Sequence, residues 1–591
     1  MVNARGQGRL LARHFFWRFL DNDLISPDSD VHEMAALGLA FLAVPSLLGT
    51  GLFLFTYATP FATPYQRLVT ALSDKYLYIA WSMLVMSMVT LVEWDALSLD
   101  ARDYAVLGAL PIPPRALLAG KLLALAGFVI AVIVAVNAVP TILFPLISLS
   151  ATGLTLPLSQ AGRMVLGHAV SCVGAAVFGF LAILALRGLL LTVLGPRWFR
   201  HVALPAQFAV AVGLVIAFVS LPSSPAGGGA AVLLSPPMWF LGLYEIISGP
   251  TMFRAAGLFE LQKWQVAREH RARDLYLSYQ PMFSDLAMAA VAALAVAAAV
   301  AFALYFAAHF RHAAHLRQTD ASQPAGAHRL RRRLAGLARR VLVRDPLAQA
   351  TFFFTLQALG RSVRHKLYVA AYLAAGVLIT YVTLAPVIVR RPAWLFTTPR
   401  LPTLWVQLVL SFFLLVGLRA VFAIPAELRA NWLFRLTVVG DPRRYLAGVR
   451  RAVEACVVAP LFLVLLPLHA MLWGPRAALL HAVFGVLWAL VLLDVLMLHL
   501  EKLPFTCSHV SGKGGIRAFW PVYPAGFIIY AYWFARREEQ ALAPGGSPVV
   551  LALVLLVVLI GLRLYRDRQF ARRSGFVFSE LPDTAAITLE L

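Results

Sequence analysis

The chain has 591 residues, of which 60% are hydrophobic and only 13% charged, with a mean hydropathy of +0.77. A soluble chain carries about 25% charged residues, so this composition excludes a soluble enzyme or binding domain. Its many apolar runs of about 20 residues specify a polytopic α-helical membrane protein. The formal charge of +23 would suggest nucleic acid in a soluble chain, but here it reads as Lys and Arg retained on the cytoplasmic side of the bilayer, and no nucleic-acid partner is expected.

In chain order, Gly8 to Leu20 sets Leu11, Phe15, Phe16 and Phe19 against Arg9, Arg13 and Arg18. This is a basic amphipathic helix lying on the inner leaflet. Spans are predicted at about 36–58 and 76–94, and the first is expected to target the chain to the membrane. Between the second and third spans, Asp95 to Lys121 begins as an amphipathic segment with Leu97, Ala101, Tyr104 and Gly108 on one face. Pro111-Ile112-Pro113-Pro114 then breaks it. Spans three to five follow at about 116–145, 164–186 and 202–221. The outer loop Pro222 to Ser284 carries Pro236-Pro237-Met238-Trp239-Phe240-Leu241, an interfacial or re-entrant aromatic element. Span six lies at about 285–308.

The stretch His309 to Lys366 holds Arg329, Arg331, Arg332, Arg333, Arg339 and Arg340, with only Asp320 and Asp345 as acids. It is predicted to be cytoplasmic, which places both termini inside. Thr351 to Lys366 is a second interfacial helix. Spans seven and eight follow at about 367–388 and 404–424. An amphipathic segment runs from Pro425 through Leu428, Trp432, Leu436 and Val439 to Gly440-Asp441-Pro442. Spans nine to twelve are predicted at about 452–474, 478–499, 517–535 and 548–565, the eleventh bent or re-entrant because Pro521 and Pro524 interrupt it.

Two short stretches recur in the same order. Pro114-Arg115-Ala116-Leu117-Leu118-Ala119-Gly120 returns as Pro442-Arg443-Arg444-Tyr445-Leu446-Ala447-Gly448, and Arg163 to Val170 returns as Arg476 to Val483, with His168 matching His481. Pro140 and Pro467 fall at similar places in spans three and nine. The pattern predicts a duplication: an all-α membrane protein of about twelve spans, arranged as two parallel six-helix repeats. The halves are 1–320 and 351–591, joined by a basic linker at 321–350.

Asp103-Tyr104-Ala105-Val106-Leu107-Gly108-Ala109-Leu110-Pro111-Ile112-Pro113-Pro114-Arg115, running on to Lys121, resembles the first cytoplasmic loop of ABC-2 type exporter permeases. In that family the loop includes the coupling helix that docks on the ATPase subunit. The order of parts is also similar: interfacial helix, two spans, coupling loop, three spans, a broken outer element and a last span. The second half departs, with Val438-Val439-Gly440-Asp441 in place of Leu110-Pro111-Ile112-Pro113 and Asn431 in place of Asp103.

The resemblance implies a permease of the cell (inner) membrane, coupled to a separate ATP-binding cassette subunit in two copies. ATP and Mg would be bound by that partner. The coupling residues it points to are Asp103, Leu110, Pro111, Pro114, Arg115 and Lys121, and in the second half Asn431, Trp432, Arg435, Asp441, Arg443 and Arg444. No GxxxxGK[ST] occurs, and Ser511-Gly512-Lys513-Gly514-Gly515 lacks the spacing of a phosphate-cradling loop. No cofactor is expected in this chain itself.

Ionisable residues inside spans are functional candidates. Arg419 and Asp494 lie near the inner ends of spans eight and ten, and Glu93 and Arg187 near those of spans two and four, so each half is predicted to hold one ion pair. His168 and His481 read as packing inherited with the duplication, with a proton-linked role as the alternative. His499, Cys507 and His509 lack a fourth metal ligand at useful spacing. Glu538-Glu539 beside Arg536-Arg537 reads as a solvated charged turn. No catalytic constellation is visible, so the chain is not expected to be an enzyme. The alternatives to an ATP-driven permease are an ATP-independent secondary transporter and a non-transporting membrane scaffold.

Overall fold

The computed structural model describes residues 4–20, 39–40, 42–51, 64–94, 96–97, 107, 110, 112–150, 158–221, 234–248, 266–318, 336, 338–340, 342–390, 399–424, 442–498, 500, 503–506 and 526–571. The described residues form helices and short turns, without a strand. Ten stretches among them are long and apolar enough to cross a membrane. The chain is a polytopic all-α membrane protein. A bilayer core supplies no partner for open backbone groups, so a chain with this apolar content satisfies them within helices. The ten stretches match ten of the twelve spans read from the sequence. Of the first, a short apolar helix over Leu42–Gly51 is described; residues 517–525 of the eleventh lie outside the described residues.

The chain divides into two compact units, Met1–Asp320 and Ala321–Leu591. In the first unit, α1 (Ala4–Leu20) is followed by α2 (Leu42–Gly51), α3 (Pro64–Val92), α4 (Pro114–Ser150) and α5 (Leu158–Val219). A short α6 (Pro236–Ser248) and α7 (Val266–Gln318) complete it. Gly195 adopts φ +70° and divides α5 into two spans, a backbone conformation that a residue with a Cβ adopts only under strain. One core layer joins α1, α3, α4 and α5 through Phe15, Met86, Phe128, Val132 and Leu184. A second gathers Tyr78, Phe144, Cys172, Phe240 and Tyr244 around α6.

The second unit comprises α8 (Pro346–Arg361), α9 (Val363–Arg390) and α10 (Leu401–Val421). Next, α11 runs from Pro442–Val453 through a π-helical turn, Glu454–Val458, into Ala459–Trp473. Pro460 explains the turn: it has no N–H for the carbonyl four residues back and crowds it, so the ladder widens just before it. Gly474, at φ +81°, ends α11 and opens α12 (Pro475–Met497). Then α13 passes through a π turn, Ile529–Trp533, into Phe534–Leu542, and α14 covers Pro548–Ala571. Leu401 N–H donates to Glu539 at 3.1 Å, which sets the start of α10 beside the end of α13. At the opposite face, Phe505 N–H donates to the Phe422 carbonyl at 3.0 Å. Along α14, Val549, Val550, Leu553 and Val557 are exposed, as apolar side chains facing hydrocarbon should be.

Candidate functional site

The repeated Pro-Arg segments open α4 and α11, and each is crossed by the first helix of its own unit. In the first unit α1 turns Leu11, Ala12 and Phe15 inward and leaves Arg9 and Arg13 exposed. The contact is close because of Gly120: a Cβ there would lie 2.9 Å from Leu11 Cβ. Phe15 covers Lys121, whose Nζ sits 5.1 Å from the ring centroid. Lys121 is thus buried, whereas Leu110 and Arg115 remain exposed. A docking partner would meet those two and not Lys121. For Pro114 only the backbone, the first residue of α4, is described. Asp103 and Pro111 lie outside the described residues.

In the second unit α8 has the same role. Asp345 caps it, accepting from Ala348 N–H at 2.9 Å, and Pro346 supplies a preformed first turn. Arg444, from the repeated segment, pairs with the same carboxylate and holds it below the ordinary carboxylate range. Thr351 donates its hydroxyl to the Tyr445 carbonyl at 3.0 Å. A Cβ on Gly448 would run into Thr351 Oγ1 and the Ala348 carbonyl. Gly120 and Gly448, the matched glycines of the two segments, are therefore both points where the unit's first helix presses on its third-span helix. Arg443 is exposed. Asn431, Trp432, Arg435 and Asp441 lie outside the described residues.

A polar cluster lies toward the other end of each unit. In the first, Lys75 of α3 donates to Glu245 of α6 at 2.7 Å with both side chains buried. Lys75 also lies over the Tyr244 ring, 4.4 Å from its centroid. Tyr244 meets His168 edge-on at 5.8 Å, and Cys172 Sγ lies 3.6 Å from His168 Nε2. In the second, Glu538 of α13 meets His481 Nδ1 at 2.5 Å with both side chains fully buried. Gln407 of α10 donates to the His481 carbonyl at 2.8 Å, with its nitrogen 2.9 Å from Nδ1. His469 stacks on Trp473 and faces His481, ring centroids 4.6 Å apart.

Glu538 is thus a correction to the sequence reading. The Glu538-Glu539 pair is helical: Glu539 faces outward toward Arg536, and Glu538 turns into the bundle. Neither buried carboxylate was singled out from the sequence. A shared signal existed: a Trp-Phe pair, Trp239-Phe240 or Trp533-Phe534, precedes each by a turn or more of helix.

The four ionisable residues predicted within spans are placed as follows. Asp494 is buried among three arginines: Arg563 donates to it at 3.1 Å, Arg566 pairs with it, and Arg450 lies 3.8 Å away. Glu454, on the π turn, joins Arg450 at 3.1 Å and Arg451 at 3.0 Å. Arg419 donates its Nε to the Leu496 carbonyl at 3.2 Å, so it reaches α12 two residues beyond Asp494 without entering the ion pairs described for that carboxylate. Arg187 is buried beside the Phe199 ring, and Glu93 is half-buried at the end of α3. Among the described residues no cluster of His, Cys, Asp and Glu has the makings of a metal site. His499, Cys507 and His509 lie outside them.

Comparison of the chain with known protein families, with curated proteins and with solved structures finds no match.

Proposed function

We propose that the chain is the membrane-spanning permease subunit of an ATP-driven exporter of the cell (inner) membrane. It is two six-span permease-like halves in one chain, arranged as parallel repeats with both termini cytoplasmic. A separate ATP-binding cassette subunit, in two copies, binds ATP and Mg and docks on the loops before α4 and α11. The observation that carries this reading is the junction built twice. In each unit the helix that opens the unit is pressed onto the start of the third span at a matched glycine, just after the loop that in the first unit resembles a coupling helix. Packed interiors move as bodies and do not deform smoothly, so a push on Leu110 or Arg115 would carry α1 and α4 together. A push on Arg443 would carry α8 and α11.

The test is co-purification of the tagged chain with a candidate ATP-binding cassette subunit produced in the same cells. Replacing 98–113 and 428–441 by flexible linkers is expected to abolish retention, and Arg115→Glu with Arg443→Glu to weaken it severalfold. Unaltered retention after both replacements would sink the docking claim. A secondary transporter is the second reading, favoured by one observation, the fully buried His481–Glu538 pair. It requires transport that persists without ATP and stops when the ion gradient collapses.

A further inference from the structure

Of the buried polar atoms in the second unit without a hydrogen-bond partner among the described residues, four belong to one cluster: Gln407 Oε1, His469 Nδ1, His481 Nε2 and Glu538 Oε2. Their residues are 0%, 3%, 0% and 0% exposed. Buried groups left unpaired are costly, most of all where one of them carries a charge. Gln407 Oε1 and an ionised Glu538 Oε2 are acceptors, while each free imidazole nitrogen is a donor or an acceptor according to its tautomer, so the cluster holds spare hydrogen-bonding capacity around a single carboxylate.

The charge balance bears on that carboxylate. His481 is the one ion-pair partner of Glu538 among the described residues. The other charged groups of α13 turn away: Arg536 pairs with Glu539, and Arg537 lies over Trp533 and bonds Gln540. Of the elements around the pair, α10 brings Gln407 and the Ser411–Tyr530 hydroxyl pair, while α11 brings His469. Arg476, near the start of α12, is exposed, and α14 is apolar from Pro548 to Gly561. With a neutral imidazole, Glu538 is therefore a bare negative charge in an apolar bundle, which burial makes expensive. One added proton removes that charge. Nδ1 and Oε1 lie 2.5 Å apart, within hydrogen-bond distance, and two bare acceptor atoms would repel there, so one proton belongs between them.

We propose that Gln407, His469, His481 and Glu538 form a buried proton-binding site that takes up one proton onto the His481–Glu538 pair and, so loaded, keeps α13 seated against α10 and α12. The proton bonds to Glu538 Oε1, which donates it to the His481 Nδ1 lone pair, and it leaves to water as hydronium, with no other bond made or broken. Losing it leaves the carboxylate uncompensated in the bundle, which weakens the seating of α13.

Two measurements on the purified full-length chain test this. Infrared difference spectra of the wild type between neutral and alkaline pH should show the carbonyl band of a protonated carboxyl in dry surroundings, lost on the alkaline side and absent from Glu538→Gln. Proton counting in weakly buffered detergent over the same step should release one proton fewer from Glu538→Gln than from wild type. The infrared experiment needs no variant to establish that a protonated buried carboxyl is lost, so a misfolded Glu538→Gln leaves the proposal open to refutation. Absence of such a band, or equal proton release from both proteins, would overturn it. Sodium chloride in place of choline chloride should leave the band unchanged. If sodium alone abolishes it at neutral pH, the site is a sodium site and the proton assignment falls.

Discussion

Placing a methyl group at Gly448 tests the junction on which the account rests. The added Cβ meets Thr351 Oγ1 and the Ala348 carbonyl, one a buried hydroxyl and the other helix backbone. Neither is the free end of a flexible side chain. Overpacking of this kind costs about 1–3 kcal/mol. Displacing Thr351 from Tyr445 costs about 1 kcal/mol more, and the better helix propensity of Ala returns about 0.8–1 kcal/mol. Gly448→Ala is thus expected to destabilise the seating of α8 by about 1–3 kcal/mol. Gly120→Ala meets Leu11 Cβ at 2.9 Å as its nearest contact, with backbone no closer than 3.5 Å, so less must give way than at Gly448 and after the propensity gain its net cost is about 0–2 kcal/mol. Hydrogen exchange over Pro346–Arg361 in the detergent-solubilised chain reads the first effect, and exchange over Ala4–Leu20 the second. Each variant should loosen only its own helix, Gly448→Ala about tenfold or more. Wild-type exchange in Gly448→Ala, or a larger effect from Gly120→Ala, would refute the reasoning.

Other outcomes follow from the ion pairs. Lys75→Met strands the buried Glu245 carboxylate and should cost about 3–5 kcal/mol in thermal unfolding, whereas Lys75→Met with Glu245→Leu should recover most of it. Asp345→Ala removes the cap of α8 and should cost about 0.5–2 kcal/mol. Because the carboxyl of Asp345 is held low in the folded chain, its contribution is present above the ordinary carboxylate pKa. It is lost as pH falls through the depressed one, so wild-type α8 should loosen in acid and Asp345→Asn should lack that pH dependence. Asp494→Arg should be rescued better by Arg566→Asp than by Arg419→Asp, read as folded protein recovered from membranes.

The helical membrane class was legible because lipid demands long apolar helices, and hydropathy alone finds them. The repeated Pro-Arg segment was legible as a repeat, but the role of Gly120 and Gly448 was not. A glycine in a sequence does not say which helix will press on it, and the partners, Leu11 and Thr351, lie far away along the chain. Asp494 was expected beside Arg419 because both lie at one depth on neighbouring spans. The arginines described beside it come from α14, where Arg563 and Arg566 are spaced to share one helix face, and from Arg450. Glu538 was hidden by its own neighbours: Arg536, Arg537 and Glu539 make the stretch look solvated, and only the helical turn sets Glu538 inward while the others face out.

The most direct test of the central claim is a photo-crosslinking amino acid at position 110 and at position 443, both exposed at the starts of the third-span helices. The chain would be made in cells together with the candidate ATP-binding cassette subunit used for co-purification. The account predicts a covalent adduct of the two proteins from both positions and none from position 557, a lipid-facing site on α14. Adducts from neither 110 nor 443, with the chain folded in the membrane and the candidate subunit present, would contradict it.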